Sequence, residues 1–409
     1  MKNIFRRIRE AGLKIFLIIP PRLREVMLFI YVLIIYFPNI IRNIAKTKKV
    51  LNKFKENNSV LYRTSEIALW NYCFRQASSK KYNIYLDTYK NQNVKCIRRN
   101  IEFDLPYNEP ILICAVKNNL HRVKMQIDYH KSLAVKNFVY IDNMSNDGTF
   151  EWLLNQEADI YRVDDKFHAS AKSAWVRQIT DMYGYNRWYL ILDSDELFAY
   201  PGMETGTIHD LICFAEKEGM NFIQSFMIDM YSKEKIFSLP QKMFDIDNYN
   251  IVKENCYFDT DSYFINLSYK GKRVIGGPRS RVFSNKVQNF TTLLTKNPLI
   301  FLKEKDHFGI HHSIPYYKNF NYPIISGILH YKFLPSDGEK YVQIANEGNY
   351  ASESAEYKQF LKAIKQNPDL YFYYDKSQKF TNSLDLLKIN IIDQAWSQRL
   401  ISYLESSKP

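Results

Sequence analysis

A series of short apolar runs separated by helical patterns constrains the fold of this chain more than any other feature. The runs are continuous and strand-length, as expected for strands buried in a parallel sheet. They cover residues 111–116, 137–142, 159–163 and 188–193. Helical spacing of apolar residues fills the gaps, at about 120–133, 149–156 and 169–182. This alternation predicts βαβ units and therefore an α/β fold, with a mixed, mainly parallel sheet flanked by helices.

The second half of the chain is less regular. Apolar patterns predict strands over 221–230 and 327–333, and Gly276–Phe283 resembles a turn that enters another strand. Helical patterns cover about 338–366 and 384–404. We therefore expect more strands after residue 220, followed by a helical end.

An acidic segment, Asp193-Ser-Asp195-Glu196, directly follows the fourth apolar run. Ligands of open α/β sheets bind at the carboxyl ends of the strands. Asp193 and Asp195 are two residues apart, so an extended segment points both carboxylates the same way. Paired carboxylate oxygens suit Mg²⁺ or Mn²⁺, although an acidic turn exposed to solvent is the alternative explanation.

The chain from about 108 to 390 resembles the family 2 type glycosyltransferases, within them a subgroup of bacterial sugar transferases. The matching stretches keep the family order. They are Ala115–Asn118, Asp142–Thr149, Trp188–Glu196, Asp229–Tyr231, Gly276–Arg279 and Leu329–Phe333. The resemblance implies a GT-A (Rossmann-like) fold that binds a nucleotide-diphospho-sugar donor together with a divalent metal, Mn²⁺ or Mg²⁺.

The resemblance also assigns roles to single residues around the donor. Asp193 and Asp195 match the Asp-x-Asp motif that contacts the donor and ligates the metal. Asp142 matches an acid that contacts the nucleobase or ribose, and Asn118 lies where the nucleotide pocket begins. Asn119 departs from the pattern, because many relatives carry Glu there.

His330 is the histidine that the resemblance favours, as a third metal ligand or a diphosphate contact. A structural role at a strand end is the alternative. His307, His311 and His312 are spaced as metal ligands can be, but an exposed loop explains that spacing equally well.

Transfer with inversion, which the resemblance implies, needs a base that takes the proton of the acceptor hydroxyl. Asp229 follows an apolar run and is the first choice for this base. Asp259 and Asp261 are the other candidates. The alternative role for Asp229 is to fix a loop. Arg279 and Lys332 are predicted to contact the diphosphate or an anionic acceptor, and a turn with solvated cations is the alternative for Arg279.

The basic charge of the chain is concentrated at its beginning. The formal net charge is +13, and residues 1–60 contain thirteen Lys and Arg against three Asp and Glu. Apolar residues at helical spacing in 4–19 and the apolar run 26–37 interrupt these cations. We expect residues 1–56 to form helices that lie on an anionic membrane surface, since the apolar run is short for a span. A core helix beside a solvated basic helix is one alternative, and a membrane span by residues 26–41 is another. The nearly neutral body predicts no nucleic-acid partner.

These observations predict an N-terminal membrane-associating segment (1–56), a connector (57–108), a GT-A domain (108–335) and a C-terminal helical extension (336–409). The predicted activity is metal-dependent transfer of a sugar to a surface-glycan or glycolipid acceptor, such as lipopolysaccharide or capsule. It would take place at the cytoplasmic face of the cell membrane, with the protein peripheral or monotopic. Two other hypotheses stay open: a non-catalytic glycan- or nucleotide-binding protein on the same fold, and a nucleic-acid binder that uses the basic end.

Overall fold

The computed structural model describes residues 88–407, except 92, 103, 239–248, 269–270, 285–291, 304–306, 309–310, 312 and 315–321. The predicted membrane-associating segment and the first part of the connector lie outside these residues. Within them, no helix is both long enough and apolar enough to cross a bilayer.

Strands and helices alternate through the first half of the described chain, as the apolar runs predict. The strands of this half are β1 Lys95–Arg98, β2 Ile111–Val116, β3 Asn137–Asp142, β4 Asp159–Arg162, β5 Arg187–Ile191, β6 Glu196–Ala199 and β7 Gln224–Asp229. The helices are α1 Leu120–Ser132, α2 Thr149–Leu153, α3 Ala169–Tyr183 and α4 Ile208–Lys217.

The second half combines short strands with C-terminal helices. Its strands are β8 Tyr257–Phe258, β9 Tyr263–Ser268, β10 Gly271–Gly276, β11 Thr295–Lys296, β12 Leu299–Leu302, β13 His307–Phe308, β14 Ser313–Ile314, β15 Ile324–His330 and β16 Gln378–Lys379. Its helices are α5 Ile251–Glu254, α6 Gly277–Phe283, α7 Gly338–Glu347, α8 Ala351–Gln366, a 3₁₀ helix Ser383–Lys388 and α9 Gln394–Ser406.

The main sheet has six strands in the order β1-β4-β3-β2-β5-β12. The four central strands are parallel to one another, whereas the edge strands β1 and β12 pair antiparallel with β4 and β5. The four strand predictions of the first half are confirmed, with ends that differ by no more than two residues. The mixed, parallel-rich α/β architecture is confirmed with them.

A second sheet brings late segments of the chain next to the acidic turn. Its order is β11-β7-β15-β6, with β15 parallel to β7 and antiparallel to β6. In this register His330 pairs with Asp229 on one side and with Glu196 on the other. Because β6 begins directly after the acidic turn, the end of β15 lies beside Asp193 and Asp195.

The strand predicted to begin near Gly276 is wrong, because residues Gly277–Phe283 form helix α6. The strand instead ends at Gly276, as β10. Gly276 has φ +105° and Gly277 φ +75°, conformations that suit glycine and turn the chain abruptly. Pro278 follows in the first helical turn, where its fixed φ and missing N–H are tolerated.

The C-terminal residues belong to the same core as the sheet. Leu386, Ile389, Leu400 and Leu404 are buried in the cluster that also contains residues of β2, β5 and β15. Phe333 and Phe360 pack in another cluster, with rings 5.1 Å apart between centroids. The chain after residue 336 therefore packs against the strands that carry the site.

Candidate donor and metal site

The acidic turn between β5 and β6 is held from three directions. Gln126 of α1 donates its side-chain amide to the carbonyl oxygens of Asp193, at 2.6 Å, and Glu196, at 3.1 Å. The Glu196 carboxylate folds back and accepts the backbone N–H of Asp193 at 2.7 Å. The backbone N–H of Tyr331 donates to the carbonyl of Asp195 at 2.8 Å. Both aspartates are therefore presented by a fixed backbone.

Two lysines surround the Asp193 carboxylate. Lys172, in the first turn of α3, forms an ion pair with its Oδ1 atom, and Lys296 lies 3.4 Å from the same oxygen. Lys296 is 2% exposed and also pairs with buried Glu196 at 2.5 Å. Burial by itself would raise the pKa of Asp193, but the two ammonium groups outweigh it and hold that pKa below the ordinary value.

His330 lies between two carboxylates. Its Nδ1 atom is 2.7 Å from Oδ1 of Asp229, and its Nε2 atom is 3.5 Å from Oδ2 of Asp195. Burial by itself would lower the pKa of His330, but Asp195 and Asp229 together raise it. Burial would raise the pKa of Asp195, yet His330 and Arg122 hold it well below its usual range.

Asp229 is enclosed within the protein. Its side chain is 3% exposed, and Oδ2 accepts a hydrogen bond from Nε of Arg279 at 2.8 Å. Burial would raise its pKa, but Arg279 and His330 lower it to about 2. Arg279 then reaches Oε1 of Glu356 through Nη1, at 3.0 Å. Lys332 lies 3.6 Å from the other oxygen of Glu356, so the predicted contacts Arg279 and Lys332 meet at one carboxylate.

The acidic turn, His330, Arg279 and Glu356 border one cavity of about 540 Å³, a volume typical of small-molecule sites. Its wall includes five of the predicted site residues, namely Asp193, Asp195, Arg279, His330 and Lys332. It also includes six cationic side chains, which are Lys117, Arg122, Lys172, Arg279, Lys332 and Lys340. The cavity therefore combines an exposed carboxylate pair with many cations, as a site for a metal and a diphosphate would.

Asn118, Asp142 and Asp229 are not part of the wall that the described residues form. Asp142 is fully buried, and its carboxylate accepts the N–H of Ser145 at 3.2 Å and lies 3.3 Å from Nε of Arg162. The Asn118 side chain accepts the N–H of Asn146 at 2.8 Å. These contacts fix the loops at the ends of β2 and β3, and the predicted nucleotide contacts of both residues stay predictions.

Asn119 occupies the position where the sequence departs from the pattern of the glycosyltransferases that it resembles. Its Nδ2 atom donates to Oγ of Ser194, between the two aspartates, at 2.5 Å. Its Oδ1 atom accepts from Lys340 at 2.9 Å and from Arg122 at 3.2 Å. Asn119 thus joins the acidic turn to the cations. A glutamate at this position would have no side-chain N–H to donate to Ser194 and would add a negative charge beside Asp193 and Asp195.

Sequence reasoning missed Lys172, Lys296, Lys340 and Glu356. Of these four residues, only Lys172 could be suspected from the nearby sequence, because it lies at the beginning of a helix that precedes the acidic strand end. Lys296 comes to the turn through the pairing of distant strands, and α7 and α8 return to the cavity through packing. His311, whose spacing the sequence explains equally well by a metal site or an exposed loop, also borders the cavity.

The donor set around the acidic turn suits a hard divalent cation. Asp193 and Asp195 are 37% and 24% exposed, and Nε2 of His330 lies beside Asp195. Among the described residues there is no ready cluster of three or more His, Cys, Asp or Glu side chains that could hold a metal ion. Mg²⁺ sites commonly use one or two carboxylates and complete the coordination shell with water and substrate phosphates. Asp193 and Asp195 therefore fit a metal whose remaining ligands are water or substrate oxygens.

No protein-family model matches this sequence, and no curated protein sequence matches it. Among solved structures, the chain is similar to the mannosyltransferase PcManGT from Pyrobaculum calidifontis in complex with GDP-Man and Mn²⁺. The identity is 14%, the match covers 36% of this chain and 44% of that chain, and the TM-score is 0.22. The chain thus matches less than half the length of that glycosyltransferase, at a similarity that establishes neither a family nor an activity.

Proposed function

We propose that this chain is a metal-dependent glycosyltransferase of GT-A type. It transfers a sugar from a nucleotide-diphospho-sugar to a hydroxyl of a surface-glycan or glycolipid acceptor, with inversion. The observation that carries the proposal is the single cavity in which Asp193 and Asp195 face cations from four different parts of the chain. A carboxylate pair for a metal and cations for a diphosphate are the two requirements of such a donor.

The cationic wall supplies the diphosphate contacts. Lys172 and Ala169 border the cavity at the beginning of α3, a helix of 15 residues. A helix N-terminus favours phosphate, because its free N–H groups and the helix dipole both attract anions. Lys340 and Arg122 stand on another part of the wall. When a phosphate enters, Lys172 can exchange its contact with Asp193 for one with the phosphate and free a carboxylate oxygen.

Asp193, Asp195 and Nε2 of His330 would hold the metal. When bound, the metal neutralises charge that develops on the departing diphosphate. Oδ1 of Asp229 accepts a hydrogen bond from Nδ1–H of His330, which leaves Nε2 directed at Asp195. With its side chain 3% exposed and its pKa near 2, Asp229 suits this orienting role better than the base role predicted from the sequence.

A panel of nucleotide sugars tests the proposal directly. The full chain is mixed with GDP-mannose, UDP-glucose and UDP-N-acetylglucosamine, with Mn²⁺ or Mg²⁺, and scored by thermal shift and by release of nucleoside diphosphate. We expect a metal-dependent shift and release with at least one donor, both lost in Asp195→Asn. Exposed Asp128 of α1 provides the matched control Asp128→Asn.

Two outcomes contradict the proposal in different ways. Donor binding without any release favours the non-catalytic binding protein. Release that is equal with and without metal, and unchanged in Asp195→Asn, contradicts the metal assignment.

Membrane association through residues 1–56 is part of the proposal, with the cytoplasmic face as the place of action. Its support is the concentration of positive charge and apolar helical patterns in the first 60 residues. Vesicles that contain phosphatidylserine should retain the full chain and release it after deletion of residues 1–45. Steeply salt-dependent binding to DNA or RNA, without vesicle binding, would favour the nucleic-acid hypothesis instead.

A further inference from the structure

The carboxylates of the cavity wall differ greatly in exposure. They are Asp193, Asp195, Glu196, Asp337 and Glu356. Glu196 is 1% exposed and pairs with Lys296, and Asp337 is 6% exposed and pairs with Arg122. Glu356, in contrast, is 36% exposed. Among the three carboxylates of this wall outside the Asp193 and Asp195 pair, Glu356 is therefore the one that a bound molecule can reach.

Two cations keep Glu356 charged and fix its direction. Nη1 of Arg279 lies 3.0 Å from Oε1, and Nζ of Lys332 lies 3.6 Å from Oε2. Arg279 is itself held by Asp229. Burial would raise the pKa of Glu356, but Lys332 and Arg279 lower it below its ordinary value. Glu356 is thus ionised at neutral pH, which a proton acceptor requires.

Other proton acceptors of the site are less suitable. Asp229 is enclosed between His330 and Arg279. His311 has a pKa lowered to about 3, by burial and then by Lys296, so its imidazole is a poor proton acceptor. The charges that act on His311, which include Asp193 and Lys172, also place it on the donor side of the cavity.

Aromatic rings border the same cavity as Glu356. Tyr350 and Tyr357 border the cavity with ring centroids 5.1 Å apart, and Phe167 lies 4.8 Å from Tyr350. The ammonium of Lys332 lies over the Tyr357 ring at 4.7 Å. Aromatic faces beside a few polar groups suit a sugar ring, whose C–H face is apolar and whose edge carries hydroxyls. An acceptor sugar that lies on these rings would occupy the same cavity as the Glu356 carboxylate.

We propose that Glu356 is the catalytic base, which takes the proton from the acceptor hydroxyl; this rests on the proposed glycosyltransferase function. The acceptor oxygen forms the new bond to the anomeric carbon, and its O–H proton moves to a carboxylate oxygen of Glu356. The bond from the anomeric carbon to the phosphate oxygen breaks, and its electron pair leaves with the nucleoside diphosphate. The resulting carboxylic acid then returns its proton to solvent.

Glu356→Gln removes the base and keeps the shape of the side chain. Its matched control is Glu353→Gln, an exposed position in the first turn of the same helix. Both variants of the full chain are assayed with GDP-mannose and UDP-glucose, with Mn²⁺ present and water as acceptor. We expect Glu356→Gln to release diphosphate about 10²- to 10⁴-fold more slowly, with affinity for GDP or UDP within about threefold of the unmodified chain. Glu353→Gln should behave as the unmodified chain.

Sodium azide separates a base from a residue that supports the fold. Azide is an anionic nucleophile and has no proton to lose, so it should restore turnover in Glu356→Gln and yield the glycosyl azide of inverted configuration. A folding defect would not respond to azide. If Glu356→Gln unfolds, Glu356→Asp keeps the charge, and we expect slower release with unchanged nucleotide affinity.

Release by Glu356→Gln within about threefold of the unmodified rate would overturn the assignment and leave the proposed function intact. A parallel loss of nucleotide affinity, without azide rescue, would overturn it as well. If the unmodified chain neither binds nor consumes any donor, the proposed function itself is wrong, and the base assignment falls with it.

Discussion

His330 and Asp229 are register partners on the adjacent parallel strands β15 and β7, and their side chains meet at 2.7 Å between Nδ1 and Oδ1. The backbone ladder therefore sets the direction of the imidazole. A shift of one residue in this pairing would send His330 to the opposite face of the sheet, away from Asp195.

Asp229→Asn tests whether Asp229 orients His330 or acts as the base. We expect Mn²⁺ affinity to fall about 10- to 100-fold, because the orienting carboxylate of a metal-ligating histidine is lost. Stability should fall by about 3 kcal/mol, because Arg279 stays buried with a weaker partner. Isothermal titration with Mn²⁺ and urea unfolding measure the two effects, with Asp128→Asn as control. Unchanged metal affinity together with lost turnover would instead support the base role.

Lys296 and Glu196 should be strongly coupled, since both side chains are almost completely buried. Lys296→Met leaves Glu196 charged without its main partner, and we expect a loss of about 3–5 kcal/mol in the free energy of unfolding. The double variant Lys296→Met/Glu196→Gln should lose less than the sum of the single variants. Additivity within about 0.5 kcal/mol in urea unfolding would contradict the coupling.

We expect diphosphate binding to depend on pH through the protonation of Lys340. Burial and then Arg122 lower its pKa to about 8, so the ammonium that faces the cavity loses its proton as pH rises through that value. We expect affinity for GDP or UDP to fall between about pH 7 and 9, and to fall less in Lys340→Arg, because arginine stays protonated.

Lys340 also makes the folding stability depend on pH. The folded-state pKa lies below the ordinary 10.5, so the charged form opposes folding below pH 8, and this cost disappears as pH rises towards 10.5. Lys340→Met should therefore unfold at a higher temperature than the unmodified chain below pH 8, with a gap that narrows in alkali. A gap that widens with pH would contradict the burial effect.

Gly276 should tolerate no side chain. A Cβ atom there would lie 2.2 Å from the carbonyl oxygen of Ser262, and φ is +105°. Gly184 is the control, since φ is +88° but no atom lies within 4 Å of its Cβ position. Thermal unfolding should show a clearly larger loss for Gly276→Ala than for Gly184→Ala. Equal losses would mean that backbone strain alone decides both positions.

The sequence predicts well what neighbouring residues determine. Strands β2 and β3 have the predicted ends, because continuous apolar runs require burial on both faces of a sheet. Asp193 and Asp195 were found for the same reason, as the polar residues at the end of such a run. The segment after Gly276 was misjudged, because two glycines and a proline resemble a turn whether a strand or a helix follows.

Contacts between distant parts of the chain escaped prediction. Nothing around Lys296 indicates that its neighbour β12 will pair with β5 and bring the ammonium to the acidic turn. The helical spacing of 338–366 predicts helices, which are confirmed as α7 and α8. It does not reveal that they return to the carboxyl ends of the strands, where Lys340 and Glu356 complete the wall.

The late position of these helices has a consequence for the synthesis of the protein. The parallel strands leave the ribosome early, and the acidic turn can form with them. The opposite wall of the cavity does not exist until the residues of α7 and α8 have been translated. A nascent chain that lacks these helices therefore cannot form the full cavity, even when its parallel sheet has already folded.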